Sequence, residues 1–189
     1  LGVEDTCSIL SPFFEHNTNL RSFGLYHAMD ATTLPIFTSA LAKCKSLRKI
    51  GLRCRRMEDE LVAELVASLS THHNLKTLSL NDVSESGKQW CIALGNLLQN
   101  PESKLEKLSF DHCDINDEAA AVLGGALGKN NKLKKLSLIS VHCITSTGWV
   151  ALFQGFLTNT NSSLEELDIT YSSGIDDKAL LTFAAEYAI

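Results

Sequence analysis

The stretch that decides the fold is residues 105–127, which read LEKLSFDHCDINDEAAAVLGGAL. It begins with an L-x-x-L-x-L spacing at Leu105, Leu108 and Phe110, which is typical of a short strand with one apolar face. Apolar residues then recur three and four positions apart from Ala119 to Leu127, which is helical spacing. One short strand and one short helix cannot bury their own apolar faces, so this segment needs neighbours of its own kind.

The same strand pattern occurs six times along the chain. The first leucines of the six patterns are Leu20, Leu47, Leu75, Leu105, Leu133 and Leu164. Successive patterns start 27 to 31 residues apart, and a motif at nearly constant spacing indicates a repeat protein with one shared core. Polar residues such as Asn116, Asp117 and Thr145 precede the helical stretches and are suited to cap their first turns.

The predicted domain organisation is a single repeat domain over residues 1–189, with repeats that start near residues 20, 47, 75, 105, 133 and 164. Residues 1–19 are interpreted as the end of a preceding repeat whose strand is absent. The last helical stretch has no polar cap after it. Stacked repeats need capping units at both ends, so we expect a piece of a longer array.

The composition is that of an ordinary globular protein, with 44% hydrophobic and 21% charged residues and a net charge of −5. No apolar run approaches the eighteen residues of a membrane span. The negative charge argues against bulk attraction to nucleic acid or anionic lipid. Six cysteines at irregular gaps form no C-x-x-C pair, which predicts free thiols in the cytoplasm or another intracellular reducing compartment.

Two segments fit a longer pattern than the strand motif alone. Residues 105–116 follow L-x-x-L-x-L-x-x-C-x-I-N, and residues 133–145 follow it with one inserted residue and a final threonine. Together with Gly148 at a helix start, these residues resemble the leucine-rich repeat family, specifically its ribonuclease-inhibitor-like subclass. Units one, three and six depart from the pattern, because they lack the Asn or Cys after the strand.

The resemblance implies an α/β fold and a class of function. The fold is a right-handed α/β solenoid of about six repeats, with a parallel sheet on the concave side and helices on the convex side. The subclass includes ribonuclease inhibitors, sensor domains of NOD-like receptors and Ran GTPase activators. The resemblance therefore implies protein binding without naming the ligand.

Side chains between the strand leucines are expected on the concave face, because strand side chains alternate. The candidate partner-binding residues on this face are Tyr26, Lys49, Arg53, Asn81, Lys107, Ser109, Asp111, His112, Lys135, Ser137, Asp168 and Tyr171. Small residues in one column predict a shallow floor, with Tyr26 and Tyr171 as aromatic anchors at its rim. The alternative is that these are exposed polar strand residues without a special role.

Seven basic residues lie where the first five strands begin, and we name them the basic stripe. They are Arg21, Arg48, Lys49, Lys76, Lys107, Lys134 and Lys135. Glu106 interrupts the stripe, and Glu165 and Glu166 reverse its charge in the sixth repeat. The stripe favours docking of an acidic partner. Alternatively, these charges simply keep an exposed sheet edge soluble.

Metal binding and catalysis are both disfavoured. His112-Cys113 and His142-Cys143 offer zinc donors in adjacent repeats, but both cysteines fall where the family has a buried loop residue. Serines two residues from lysines on an open strand lack an oxyanion hole or an enclosed pocket. We therefore expect no metal, no cofactor and no enzyme.

Three other expectations concern single residues. Trp90 and Trp149 lie on helical stretches and are predicted to be core residues. His72 lies in a turn beside His73 and is predicted to be solvated.

The preferred interpretation is a non-enzymatic protein–protein interaction module, either a monomer or part of a larger chain. It would bind an unidentified protein on its concave face, an acidic one if the basic stripe takes part. Two alternatives stay open. One is binding of RNA or another polyanion through the stripe, which predicts steep salt dependence although few aromatic residues are available for base stacking. The other is a purely architectural spacer in a larger scaffold or sensor.

Overall fold

The computed structural model describes residues 3–26, 29–83 and 87–184, in which strands and helices alternate. The strands are β1 (Ser22–Leu25), β2 (Lys49–Arg53), β3 (Thr77–Asn81), β4 (Lys107–Asp111), β5 (Lys135–Ile139) and β6 (Glu166–Asp168). The helices are α1 (Val3–His16), α2 (Thr33–Leu41), α3 (Asp59–Ser68), α4 (Gln89–Gln99), α5 (Asp117–Leu127), α6 (Ser146–Thr158) and α7 (Asp177–Ala184). A short 3₁₀ turn, Leu69–Thr71, extends α3.

The six strands form one parallel sheet in which each strand pairs with the next one along the chain. The register aligns the second leucine of each pattern, so that Ile50 pairs with Leu78, Leu78 with Leu108 and Leu108 with Leu136. Each helix packs against the helices of the adjacent repeats. This confirms the predicted α/β solenoid, because the packed elements among the described residues belong to the same unit or to adjacent ones.

The apolar positions of strands and helices form one continuous core from Phe14 to Ala179. Strand residues such as Leu78 and Leu80 are fully buried, as are Trp90 and Trp149, which confirms the predicted core. Burying a leucine side chain contributes about 1.5–3 kcal/mol. Each unit shares this core with the next, so adjacent units stabilise one another.

Two glycines set the distance between α5 and α6. A Cβ added to Gly155 would lie 2.0 Å from the carbonyl oxygen of Gly124, so the two helices touch backbone to backbone. Glycine at position 124 is therefore explained by this close contact of the two helices. Gly125 is exposed, and a Cβ there would meet nothing within 4 Å.

Helix starts are capped largely where the sequence predicts. The Asn116 side chain accepts the N–H of Ala119 at 2.9 Å, and the Thr145 hydroxyl accepts the N–H of Thr147 at 3.3 Å. Glu58 is different, because its side chain makes no capping hydrogen bond to α3. Capping side chains stabilise a helix by satisfying N–H groups that have no partner within it.

His72 is buried, so its predicted exposure is wrong, whereas its neighbour His73 is exposed. The His72 Nε2–H donates to the carbonyl oxygen of Leu41 at 3.0 Å, where α2 of the preceding repeat ends. Asn130 makes the equivalent contact, since its Nδ2 donates to the carbonyl of Leu98 at 2.7 Å. The last carbonyls of a helix lack partners within it, and these turn residues satisfy them from the next repeat.

No helix among the described residues is both long enough and apolar enough to cross a membrane.

Candidate protein-binding face

The sheet register places the predicted candidate residues in columns. One column pairs Lys49 with Thr77, Thr77 with Lys107 and Lys107 with Lys135. The next column runs through Gly24, Gly51, Ser79, Ser109, Ser137 and Asp168. Because the leucines between these positions are buried, the columns lie on the opposite, concave face of the sheet.

Five of the predicted residues line one cavity of about 300 Å³, which we name the central cavity. They are Lys107, Ser109, Lys135, Ser137 and Asp168, and they are joined by Thr77, Leu108 and Ile139. Ser137 is only 3% exposed, so its prediction as an accessible contact residue needs correction.

The central cavity is lined by both positively and negatively charged side chains. The Lys135 ammonium lies 2.5 Å from the Glu166 carboxylate, whereas the described residues give Lys107 no carboxylate partner. Hydrogen bonds from the hydroxyl and N–H of Thr170 lower the pKa of Asp168, which keeps its carboxylate ionised. The cavity therefore presents a free ammonium, a carboxylate and hydroxyl groups, which suit a polar protein surface. An ion-paired Lys135 is also a poor base for Ser137, so the arrangement does not favour nucleophilic catalysis.

Part of the basic stripe is neutralised by glutamates of the next repeat. Three of its lysines are ion-paired: Lys76 with Glu106 at 2.6 Å, Lys134 with Glu165 at 3.9 Å and Lys135 with Glu166 at 2.5 Å. Arg21, Arg48, Lys49 and Lys107 are exposed, and the described part of the chain shows no ion pair for them. The uncompensated positive charge is therefore concentrated at the first two repeats and at Lys107.

The residues that follow four of the strands share an uncommon backbone conformation. Asp82, His112, Ser140 and Tyr171 have φ angles of 53° to 59°, in the left-handed region. The His112 N–H donates to the carbonyl of Ile139 at 3.1 Å, which continues the sheet ladder beyond the strand. The His112 ring lies 2.8 Å from the Asp111 carboxylate, so these two predicted residues contact each other at the end of β4.

The two predicted aromatic anchors are far apart. Tyr26 is 69% exposed after β1, and Tyr171 is 80% exposed after β6. Five strand spacings of about 4.8 Å separate them by about 24 Å, so they cannot hold the same small group. Of the other candidates, Lys49 is exposed and Asn81 is half-buried, and neither lines the central cavity.

Tyr26 and Arg53 line a second cavity of about 250 Å³ together with Arg55 and Arg56. The leucine pattern does not predict these last two arginines as site residues, because they follow the strand and fall outside its columns. The signal that points to them is charge density. Residues 31–57 hold seven lysines and arginines and no acidic residue, although acidic residues outnumber basic ones by 22 to 17 in the whole chain.

The two His-Cys pairs do not form a common site. Cys113 is buried as predicted, but Cys143 is exposed, and Val141 takes the buried loop position because of the inserted residue. Partial burial and the neighbouring Asp114 carboxylate, 3.4 Å from the thiol, raise the pKa of Cys143. Among the described residues, no three His, Cys, Asp or Glu side chains lie close enough to hold a metal ion.

Comparisons with known proteins point to one family. The chain is 34% identical over 146 residues to Protein NLRC5 of Ictalurus punctatus, which covers 77% of this chain and 8% of that protein. It is 39% identical over 74 residues to NACHT, LRR and PYD domains-containing protein 5 of Mus musculus, which covers 39% of this chain and 6% of that protein. The chain thus spans less than a tenth of either relative.

No family model matches the chain. Among solved structures, the tropomodulin C-terminal domain of Caenorhabditis elegans aligns over 98% of this chain and 91% of that chain, with a TM-score of 0.47 and 13% identity. That likeness is too distant to bear on function. NLRC5 and the NACHT, LRR and PYD proteins carry leucine-rich repeats. This chain likewise has six strand–helix units, whose strands pair in register. The chain is a leucine-rich repeat protein.

Proposed function

We propose that this chain is a non-enzymatic protein-binding module that holds its partner on the concave face of the sheet, around the central cavity. The observation that carries the proposal is that one cavity is lined by residues of three adjacent repeats, namely Lys107, Ser109, Lys135, Ser137 and Asp168. The strand leucines between them belong to the core, whereas Lys107 is exposed on the other face of the sheet.

The chemistry of this face fits a protein surface. Lys107 supplies an exposed ammonium, and Asp168 and the serine hydroxyls supply acceptors and donors in the same cavity. Complementary charges of this kind steer association and fix the orientation of a partner. The neutralised lysines of the basic stripe offer less to a polyanion, which needs many uncompensated cations along its backbone.

We further propose that the array belongs to the ribonuclease-inhibitor-like subclass and serves as the recognition part of a larger sensor or scaffold. Repeats of 27 to 31 residues, each with one strand and one helix, support the subclass. The small share of the relatives' length that this chain spans supports the second part.

Charge reversal at the central cavity tests the proposed function. A partner captured by the wild-type chain should be captured at least tenfold less by Lys107→Glu, which replaces the exposed ammonium by a second carboxylate in the cavity that Asp168 lines. Lys129→Glu is the matched control, since Lys129 is exposed after α5, away from the sheet. Equal capture by wild type and Lys107→Glu would remove the central cavity from the binding face.

A further inference from the structure

We propose that Tyr26, Arg53, Arg55 and Arg56, which we name the arginine site, bind a carboxylate-rich extended segment of a protein partner. The inference rests on the proposed function, because it places a specific class of partner on the first two repeats of the concave side. The arginine site is separate from the central cavity and shares no lining residue with it.

The loop geometry presents two of the arginines together. Cys54 and Met57 are fully buried, and the Met57 N–H donates to the carbonyl of Cys54 at 3.1 Å, which closes a tight turn. Arg55 and Arg56 are the two central residues of this turn, and both are exposed. Two core anchors on either side therefore hold two guanidinium groups at the surface, next to the cavity that they line.

One of these arginines occupies a strained position. Arg56 has a φ angle of 63°, in the left-handed region that glycine and asparagine adopt most readily at such a turn position. Strained backbone conformations cluster at binding sites, so this position is consistent with the proposed role of the turn. Replacement by glycine would relieve the strain and remove the guanidinium at the same time.

The charges define the ligand chemistry. Arg53 Nε lies 2.5 Å from the Asp82 carboxylate, which fixes this arginine at the side of the cavity. Lys49 and Arg48 add two exposed cations on the same repeat, and residues 31–57 contain no acidic side chain. A planar guanidinium binds a carboxylate or a phosphate through two parallel hydrogen bonds, so a cluster of them selects anionic groups, among them acidic side chains.

Beside the arginine site, glycines replace larger side chains on the first two strands of the sheet. Gly24 and Gly51 pair in register on β1 and β2, and a Cβ added to Gly51 would meet no atom within 4 Å. A partner backbone can therefore approach the sheet closely at this point. Tyr26 provides one exposed aromatic ring there, and its side chain lies 3.5 Å from the position of a Cβ on Gly24. One ring and a flat strip suit an extended peptide better than a run of stacked bases.

The test is fluorescence anisotropy with a fluorescein-labelled peptide of ten glutamates, at low and at physiological salt. The wild-type chain should bind the peptide, and the double variant Arg55→Glu/Arg56→Glu should bind it at least tenfold more weakly. Lys104→Glu/Lys129→Glu is the matched control, because both lysines are exposed and the net charge changes equally. The control should lose less than twofold.

Two further variants separate binding from folding. Arg56→Gly should weaken peptide binding severalfold while circular dichroism shows the same fold as the wild type. Gly51→Phe should weaken binding with the fold intact, because its side chain fills the open space over β2. Lys107→Glu should leave peptide binding within twofold of wild type, so a failure here is distinguishable from a failure of the central cavity.

Three outcomes would overturn the arginine site: no binding of the peptide by the wild-type chain, equal losses in the arginine variant and in the lysine control, or tighter binding of decauridylate than of the peptide. The first two remove a specific acidic-segment site. The third replaces it with a nucleic-acid site.

Discussion

The carboxylate of Asp59 accepts the backbone N–H of Trp90, 31 residues later in the chain, at 3.0 Å. Asp59 lies in the first turn of α3, and its other oxygen accepts the N–H of Gln89 at 2.9 Å, so it caps α4 of the next repeat. Asp117 acts similarly, because it accepts the N–H of Thr145 at 2.7 Å just before α6. Carboxylates on the convex side therefore connect adjacent repeats and also complement the dipole of the helix they cap.

Removal of the Asp59 carboxylate should destabilise the array through α4. Asp59→Ala leaves two N–H groups at the start of that helix without their acceptor, and we expect a loss of about 1–2 kcal/mol in the free energy of unfolding. Urea denaturation measures it. Glu60→Ala, at an exposed position in the same turn, should change the free energy by less than about 0.5 kcal/mol. Equal losses in both variants would contradict capping across the repeat boundary.

The close contact of α5 and α6 predicts that alanine at two glycine positions, one on each helix, has opposite effects on the free energy of unfolding. Gly155→Ala places a methyl group against the carbonyl of Gly124, and this overpacking should cost about 1–3 kcal/mol. Gly125→Ala adds a methyl group into open space on an exposed helix face, and it should stabilise by about 0.5–1 kcal/mol. Thermal unfolding of the two variants compares them directly. A melting temperature of Gly155→Ala equal to that of the wild type would mean that the two helices do not touch at this point.

The burial of His72 predicts a loss of stability in acid. Burial lowers the pKa of His72 below its ordinary value of about 6.5, with the nearby charges of Lys45 and His73 acting in the same direction. Between these two pKa values the unfolded chain binds a proton that the folded chain does not. The free energy of unfolding should therefore fall as pH decreases through about 6.5.

The variant His72→Gln isolates this effect, since it cannot titrate. Its free energy of unfolding, measured in urea at about pH 7.5 and about pH 5.5, should fall less between the two values than that of the wild type. His142→Gln is the control at an exposed position in the fifth repeat and should keep the wild-type pH dependence. The prediction is wrong if His72→Gln and wild type lose the same amount.

The sheet could be predicted from the sequence down to its register, because the leucine spacing and the alternation of strand side chains have the same period. Lys107 opposite Lys135 and Ser109 opposite Ser137 follow directly from aligned leucines. The depth of each side chain does not follow from this alignment. Ser137 is buried although Ser109, in the same column, is only half-buried, and one inserted residue moves Cys143 out of the buried loop position.

Contacts between repeats were the other feature that the sequence pattern does not contain. Asp59 with Trp90, and His72 with Leu41, join loops and helix ends that are about 30 residues apart. The pattern of leucines describes each unit separately, so it assigns polar residues to their own helix or to solvent. The leucine pattern also does not predict Arg55 and Arg56, because their exposure depends on the two buried residues that flank the turn.

The most direct test of concave binding is site-specific photo-crosslinking to a captured partner. A photoreactive phenylalanine analogue is placed at Ser109, in the central cavity, and in a second variant at Lys129, after α5. We expect a crosslinked complex from the Ser109 position and none from the Lys129 position. A crosslink from Lys129 without one from Ser109 would contradict the proposed binding face.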